Sequence, residues 1–194
     1  MKQIAKSGKK ILFVATKKQA KGIVEETAKA LNMPYITERW PGGLLTNFAT
    51  IRKSIKKMQS IDKMKEDGTF DTLSKRERLQ IDRQRTKLEL NLGSIVKMTR
   101  MPEAIFVVDT NKENIAVAEA NKLAIRSFAI NDTNTNPSII NFPIPANDDA
   151  SKSIECILTI IKTAVMEGLE ERGAEKEAQA VEKKEKAKKI SEEK

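Results

Sequence analysis

The chain has 194 residues and a formal net charge of +9, with 39% hydrophobic and 32% charged residues, a length that suits one domain with an inserted module or a tail. It contains no histidine and a single cysteine, which excludes the most common general base and metal ligand and any internal disulfide bond. Because no apolar run approaches the ~18 residues of a membrane span and the first ten residues lack the apolar core of a signal peptide, we expect a soluble, cytoplasmic protein without membrane contact.

Five short apolar runs predict the strands of one parallel sheet. The runs ILFVA at 11–15 and AIFVV at 104–108 are continuous rather than alternating, which is typical of strands buried on both faces. Shorter runs follow at 35–37 and 127–130, with a weak one near Ile144. Helical segments lie between them, so the sequence predicts an α/β core of right-handed βαβ units over residues 1–45 and 99–170.

Two of the predicted helices have the start signal of a capping box, a threonine followed three residues later by Gln or Glu. Thr16 with Gln19 predicts a helix to about residue 31, and Thr110 with Glu113 predicts a helix to about residue 123 whose buried stripe includes Ile115.

The last predicted helix begins at Asn147 or Asp148, both favourable N-cap residues. It contains Cys156 within an apolar run, where we expect the thiol to be buried as a small hydrophobe. Residues 171–194 carry eight basic and seven acidic side chains and almost no apolar ones, which indicates a disordered or frayed-helix tail.

Residues 46–98 interrupt the alternation with two predicted helices and no strand. Apolar residues recur every three or four positions from Ile51 to Met64, a narrow seam close to a coiled-coil period. The chain turns at Gly68, and Ser74 with Glu77 forms a third capping box that opens a return helix. The sequence therefore predicts an antiparallel helical hairpin inserted between the second and third strands.

Positive charge is concentrated in the first half of the chain. Residues 1–100 have a net charge of +13 and residues 101–194 a net charge of −4, and residues 50–100 alone hold 14 basic and 7 acidic side chains. A surface kept basic for solubility does not require such asymmetry, so we expect an anionic partner, most often a nucleic acid.

A small-ligand site has less support. No glycine follows the first strand until Gly22, so a dinucleotide site is not expected, although the helix start at Thr16–Lys18 could hold one phosphate. Four aspartates lie at strand ends and could bind a divalent cation, namely Asp109, Asp132, Asp148 and Asp149. Turn and helix-capping roles are favoured for them, so we predict no metal, cofactor or catalysis.

The segment ERWPGGLLTNF at 38–48 contains the only tryptophan and leads into the basic hairpin. Arg39 and Trp40 could stack on unpaired bases and bind phosphate, or Trp40 could pack over the hairpin base, and both alternatives stay open. Charged helix residues usually form a solvated face, but the excess of positive charge favours phosphate contact. The other predicted RNA-binding residues are Lys17, Lys18, Arg52, Lys53, Lys56, Lys57, Arg76, Arg78, Arg83 and Arg85.

Several stretches together resemble a known family. They are ILFVATKKQA, MPYITERWPGGLLTNFATIRKSIKK, EDGTF, LELNLGSI, MPEAIFVVDTNKENIAVAEANKLAI, NDTNTNP and IPANDDASKSIECIL, in order from about residue 8 to residue 170. In these stretches the sequence closely resembles the bacterial family of small-subunit ribosomal protein number two. The RWPGGLLTNF segment before a basic helix and the IPANDDA segment are the most specific.

The resemblance implies a flavodoxin-like sheet in strand order 2-1-3-4-5 with a projecting coiled-coil hairpin. It implies a structural, non-enzymatic constituent of the small ribosomal subunit that binds 16S ribosomal RNA and lies on the solvent side, near the junction of head and body. Partners implied are neighbouring small-subunit ribosomal proteins, including protein one, which family members help to recruit. Family members usually begin about 60 residues earlier, with a histidine-containing segment and part of a long helix.

Two other classes of function make different demands on the sequence. A flavodoxin-like enzyme or nucleotide sensor would need a glycine-rich phosphate loop or a reactive residue pair, and the sequence has neither. An interaction scaffold would use the hairpin and tail on proteins alone, in which case binding to RNA should be absent.

Overall fold

The computed structural model describes the backbone of residues 1–192 and the side chains of residues 1–175. Strands and helices alternate, and two long helices lie between the second and third strands. The elements are α1 Lys2–Lys6, β1 Ile11–Val14, α2 Lys18–Ala30, β2 Tyr35–Ile36, α3 Phe48–Glu66, α4 Lys75–Leu92, β3 Ala104–Val108, α5 Asn114–Lys122, β4 Arg126–Asn131, β5 Phe142–Pro145 and α6 Ser151–Glu192.

All five strands are parallel and lie in the order β2-β1-β3-β4-β5, which confirms the predicted flavodoxin-like sheet. Phe13 of β1 pairs in register with Phe106 of β3, and Phe106 pairs with Phe128 of β4, so the three side chains form an aromatic row across the sheet. The rings of Phe13 and Phe106 are 5.6 Å apart, and those of Phe128 and Phe142 stack at 4.6 Å. Such pairs add to the stabilisation that burial already gives.

The continuous apolar strands are buried on both faces, as predicted. In β1, Ile11 and Phe13 pack into one hydrophobic cluster with α2 and α6, whereas Leu12 and Val14 pack into the other with α5 and the base of α3. A strand that separates two cores needs apolar residues at every position, which explains the absence of alternation.

One of the three predicted capping boxes is confirmed. Ser74 accepts from the backbone N–H of Glu77, and the Glu77 carboxylate accepts from Ser74 in return. The other two predictions are wrong, because α2 begins at Lys18 and α5 at Asn114, each without a side-chain cap. The amide and hydroxyl of Thr16 instead donate to the Glu113 carboxylate. The threonine of the first predicted box therefore bonds to the glutamate of the second.

Some predicted core positions are wrong as well. Cys156 is exposed, since it lies two residues from the buried Ile154 and therefore on the far side of α6. Ile115 is 54% exposed because α5 presents the small side chains of Ala116 and Ala120 to the sheet.

Helices α3 and α4 form an antiparallel hairpin. Two ion pairs join the helices, Lys65 to Asp82 at 2.5 Å and Asp62 to Arg85 at 2.6 Å. The residue number falls along α3 from the first pair to the second while it rises along α4, as it does in antiparallel helices. The seam between the helices is thin, and three side chains of α3 are buried in it or at its base, Ile55, Met58 and Ile61. Most of the hairpin surface therefore faces outward.

Helix α6 continues to Glu192, but side chains beyond Glu175 lie outside the described part of the chain. The predicted tail at 171–194 and the predicted domain limits stay predictions. Within residues 1–192, none of the helices combines the length and apolar character that crossing a membrane requires.

Helix α1 rests directly on α6 where α6 has a glycine. A Cβ added at Gly168 would lie 2.4 Å from the backbone oxygen of Lys2 and 3.2 Å from the Ala5 side chain, so α1 would have to move. We expect Gly168→Ala to lower the free energy of unfolding by about 1–3 kcal/mol, measured by urea denaturation.

Gly173, one and a half turns further along α6, provides the matched control. A Cβ at Gly173 meets nothing within 4 Å, so Gly173→Ala should stabilise the protein by up to about 1 kcal/mol through helix propensity. Equal effects of the two substitutions would show that α1 does not pack on α6 as described.

Candidate nucleic-acid interface

The start of the hairpin is fixed to the core by one buried carboxylate, that of Glu119 on α5. Its Oε1 accepts from the indole N–H of Trp40 at 3.1 Å and from the amide of Gly43 at 2.7 Å. Its Oε2 accepts from the amides of Leu45 and Thr46 at 2.9 and 3.0 Å and from the Thr46 hydroxyl at 3.2 Å. Five donors from residues 40–46 therefore converge on one side chain that is 8% exposed.

These bonds also decide the charge of Glu119. Burial alone raises the pKa of this carboxyl, but the hydrogen bonds from Thr46, Trp40, Gly43 and Leu45 outweigh burial and hold the pKa below its usual value. Glu119 is thus an anion that organises the loop before α3. Glu119 is not among the residues predicted from the sequence, where the available signal is a single glutamate on the apolar face of α5.

Trp40 is 7% exposed and lies in the hydrophobic cluster beside Leu44 and Leu45. This position supports the packing alternative, in which the indole covers the base of the hairpin. Gly43 has a φ of +82°, a left-handed conformation that lets its amide turn toward Glu119. Arg39, next to Trp40, is exposed.

The hairpin base is closed by Arg52. Its guanidinium donates to the backbone oxygens of Val96 and Met98 at 3.4 and 3.3 Å, which ties α3 to the segment after α4. Two further predicted RNA-binding arginines are in ion pairs within the hairpin. Arg85 contacts Asp62 and Glu89, and Arg78 lies 3.6 Å from Asp71.

Five of the predicted RNA-binding residues on the hairpin are exposed and form no ion pair with any residue of the described part of the chain. Lys53, Lys56 and Lys57 lie within one and a half turns of α3 and share one face of that helix. Arg76 and Arg83 lie two turns apart on one face of α4. The hairpin therefore presents two clusters of positive charge that no described acidic side chain neutralises.

The other predicted positions lie at the carboxyl edge of the sheet. Lys18 is exposed at the start of α2. Lys17 is largely buried, with its Nζ 2.7 Å from both Asp148 and Asp149 and 3.4 Å from Asp109. Burial alone lowers the pKa of Lys17, but these carboxylates outweigh it and raise the pKa above its usual value. The Lys17 ammonium is therefore committed to an internal ion cluster.

The acidic residues around Lys17 are the ones that could hold a cation. Carboxylate oxygens of Asp132, Asp148 and Asp149 lie within 4.8 Å of one another, and one oxygen of the buried Asp148 has no hydrogen-bond partner. The Lys17 ammonium supplies positive charge at this place. Asp109 also has the turn role predicted for it, because its side chain accepts from the amides of Asn111 and Lys112.

Comparison with known proteins identifies the family of this chain. A family model described as ribosomal protein S2 matches residues 1–168. The small ribosomal subunit protein uS2 of Flavobacterium johnsoniae is 68% identical over 182 residues, which cover 94% of this chain and 72% of that protein. The uS2 protein of Phocaeicola vulgatus is 66% identical over 176 residues, 91% of this chain and 63% of that protein. The chain thus spans between 63% and 72% of the length of these two relatives, and it belongs to the ribosomal protein S2 family.

Proposed function

We propose that this protein is a structural component of the small ribosomal subunit that binds 16S ribosomal RNA through the basic side chains of its hairpin. The observation that carries the proposal is the set of five exposed hairpin cations without a described acidic partner. Each such cation near a phosphate releases a condensed counterion, which favours association with a polyanion. Membership of the ribosomal protein S2 family supports ribosomal RNA as this polyanion.

The rigid attachment of the hairpin supports this function. Glu119 fixes the start of the hairpin to the core, and Arg52 joins that start to the segment that leaves the hairpin, so the basic faces of α3 and α4 keep one orientation relative to the sheet. A preorganised surface loses less entropy when it binds. We include in the proposal a cytoplasmic, ribosome-associated location and a contribution to recruiting small-subunit ribosomal protein one, both on the strength of the family alone.

Sedimentation tests the proposal. The purified chain is mixed with small ribosomal subunits that lack the corresponding protein, and the mixture is separated on a sucrose gradient. We expect the chain to move with the subunit at near one copy per particle, and to bind protein-free 16S ribosomal RNA in a filter assay. A chain that stays at the top of the gradient and does not bind the RNA would refute the proposal.

A further inference from the structure

A second concentration of positive charge lies at the opposite edge of the sheet from the Lys17 cluster. The segment that leaves the hairpin passes the amino end of β1, and two adjacent clefts of about 380 Å³ each open there. Both clefts are lined by Lys10, Lys97 and Met98, and Arg100 lines one of them. Three cations, Lys10, Lys97 and Arg100, form this amino-edge surface.

Acidic side chains near the amino-edge surface are already occupied. Glu103 pairs with Lys9 at 2.7 Å and with Arg126 at 2.6 Å. Glu25 pairs with Lys29, which lines the same cleft as Lys97. Within the described residues, Lys10, Lys97 and Arg100 have no ion pair.

The arrangement has an energetic cost in the isolated chain. The Nζ of Lys10 donates to one neutral group, the backbone oxygen of Asn32, at 2.7 Å. Burial lowers the pKa of Lys10, and the nearby charges of Arg172 and Lys97 lower it further. Like charges that line one cleft repel each other, and an anion between them would relieve the repulsion.

We infer that the amino-edge surface is a second phosphate-contacting site for RNA, separate from the hairpin. The inference rests on the proposed function, because it takes the ligand to be the backbone of the same ribosomal RNA. Cations that line a cleft, are exposed to solvent and form no ion pair within the described residues are placed to receive a phosphate oxygen. The protein would then contact the RNA at two places, along the hairpin and at the end of the core.

Hydroxyl-radical footprinting on 16S ribosomal RNA tests this inference with two matched variants. The first carries Lys10→Gln, Lys97→Gln and Arg100→Gln, and the second carries Lys53→Gln, Lys56→Gln and Lys57→Gln. We expect the first variant to bind roughly tenfold more weakly and to lose one set of protected nucleotides while the hairpin set persists. Thermal melting without RNA checks that the first variant is folded, because Lys10→Gln also removes the hydrogen bond to Asn32 while it relieves repulsion.

The remaining outcomes separate this inference from the proposed function. A wild-type footprint for the first variant, with protection lost in the second, overturns the amino-edge site and leaves the hairpin function standing. Absence of any footprint with the wild-type chain overturns both. If inorganic phosphate raises the melting temperature of the wild type but not of the first variant, while the RNA footprint is unchanged, the site takes small anions and the RNA assignment is wrong.

Discussion

Replacing Glu119 by glutamine is expected to lower the free energy of unfolding by about 3 kcal/mol at neutral pH. The carboxylate accepts hydrogen bonds from N–H groups at both of its oxygens. Glutamine keeps one acceptor oxygen, but whichever way its amide is oriented, its NH₂ group faces N–H donors with which it cannot form a hydrogen bond. On one side these are the Trp40 indole and the Gly43 amide, and on the other the amides of Leu45 and Thr46. Urea denaturation at pH 7 measures the change.

Glu113 provides a control of the same residue type and similar burial. It is 3% exposed, and burial raises its pKa although hydrogen bonds from Thr16 oppose the rise. Because the fold disfavours the charge of Glu113, Glu113→Gln should change the free energy of unfolding by less than about 1 kcal/mol. Equal losses in the two variants would contradict the distinct roles of the two carboxylates.

The two glutamates should also differ in their response to acid. The folded-state pKa of Glu119 lies below the ordinary value of 4.5, so its contribution is fully present above pH 4.5 and is lost as the pH falls through the folded pKa. The folded-state pKa of Glu113 lies above 4.5, so its contribution is greatest below pH 4.5 and declines as the pH rises through the folded pKa. The free energy of unfolding of the wild type and of each glutamine variant is measured between pH 3 and 7, a range that brackets the ordinary carboxyl pKa of roughly 4–4.5. The difference between wild type and variant should change with pH in opposite directions for Glu119 and Glu113.

Charge reversal on α3 should have the largest effect on RNA binding. The variant Lys53→Glu, Lys56→Glu and Lys57→Glu replaces three exposed cations with anions beside the proposed phosphate contacts. We expect it to weaken binding to 16S ribosomal RNA on the order of 100-fold or more at moderate salt, without a loss of stability. Filter binding and thermal melting of the same preparations measure the two quantities.

The matched control reverses three lysines outside the hairpin, Lys122, Lys152 and Lys162 on α5 and α6. It changes the net charge by the same amount, so any effect of overall charge is common to both variants. Equal loss of affinity in the two variants would mean that the hairpin has no special role.

How far the sequence predicts this structure depends on the distance between partners along the chain. The buried runs at 11–15 and 104–108 are visible because burial on both faces leaves a local pattern, and the cap at Ser74 depends on a residue three positions away. The bonds of Glu119 to residues 40–46 join positions more than 70 apart, and no local pattern indicates them.

The same limit applies to the candidate interface. Helical spacing predicts which basic residues share a face, but it does not separate free cations from paired ones. Arg85 and Lys57 look alike in the sequence, and only the crossing of the two helices places Asp62 next to Arg85 and leaves Lys57 exposed. The exposure of Cys156 likewise follows from the rotation of α6 on the core rather than from its apolar surroundings.

Binding of the hairpin to phosphate is tested most directly by the salt dependence of RNA affinity. The logarithm of the association constant for 16S ribosomal RNA is plotted against the logarithm of salt concentration for the wild type and for the variant Lys53→Gln, Lys56→Gln and Lys57→Gln. If each lysine contacts one phosphate, the magnitude of the slope should fall by roughly 2 to 3 in the variant. Parallel lines for the two proteins would contradict the account, because they would show that these lysines release no counterions on binding.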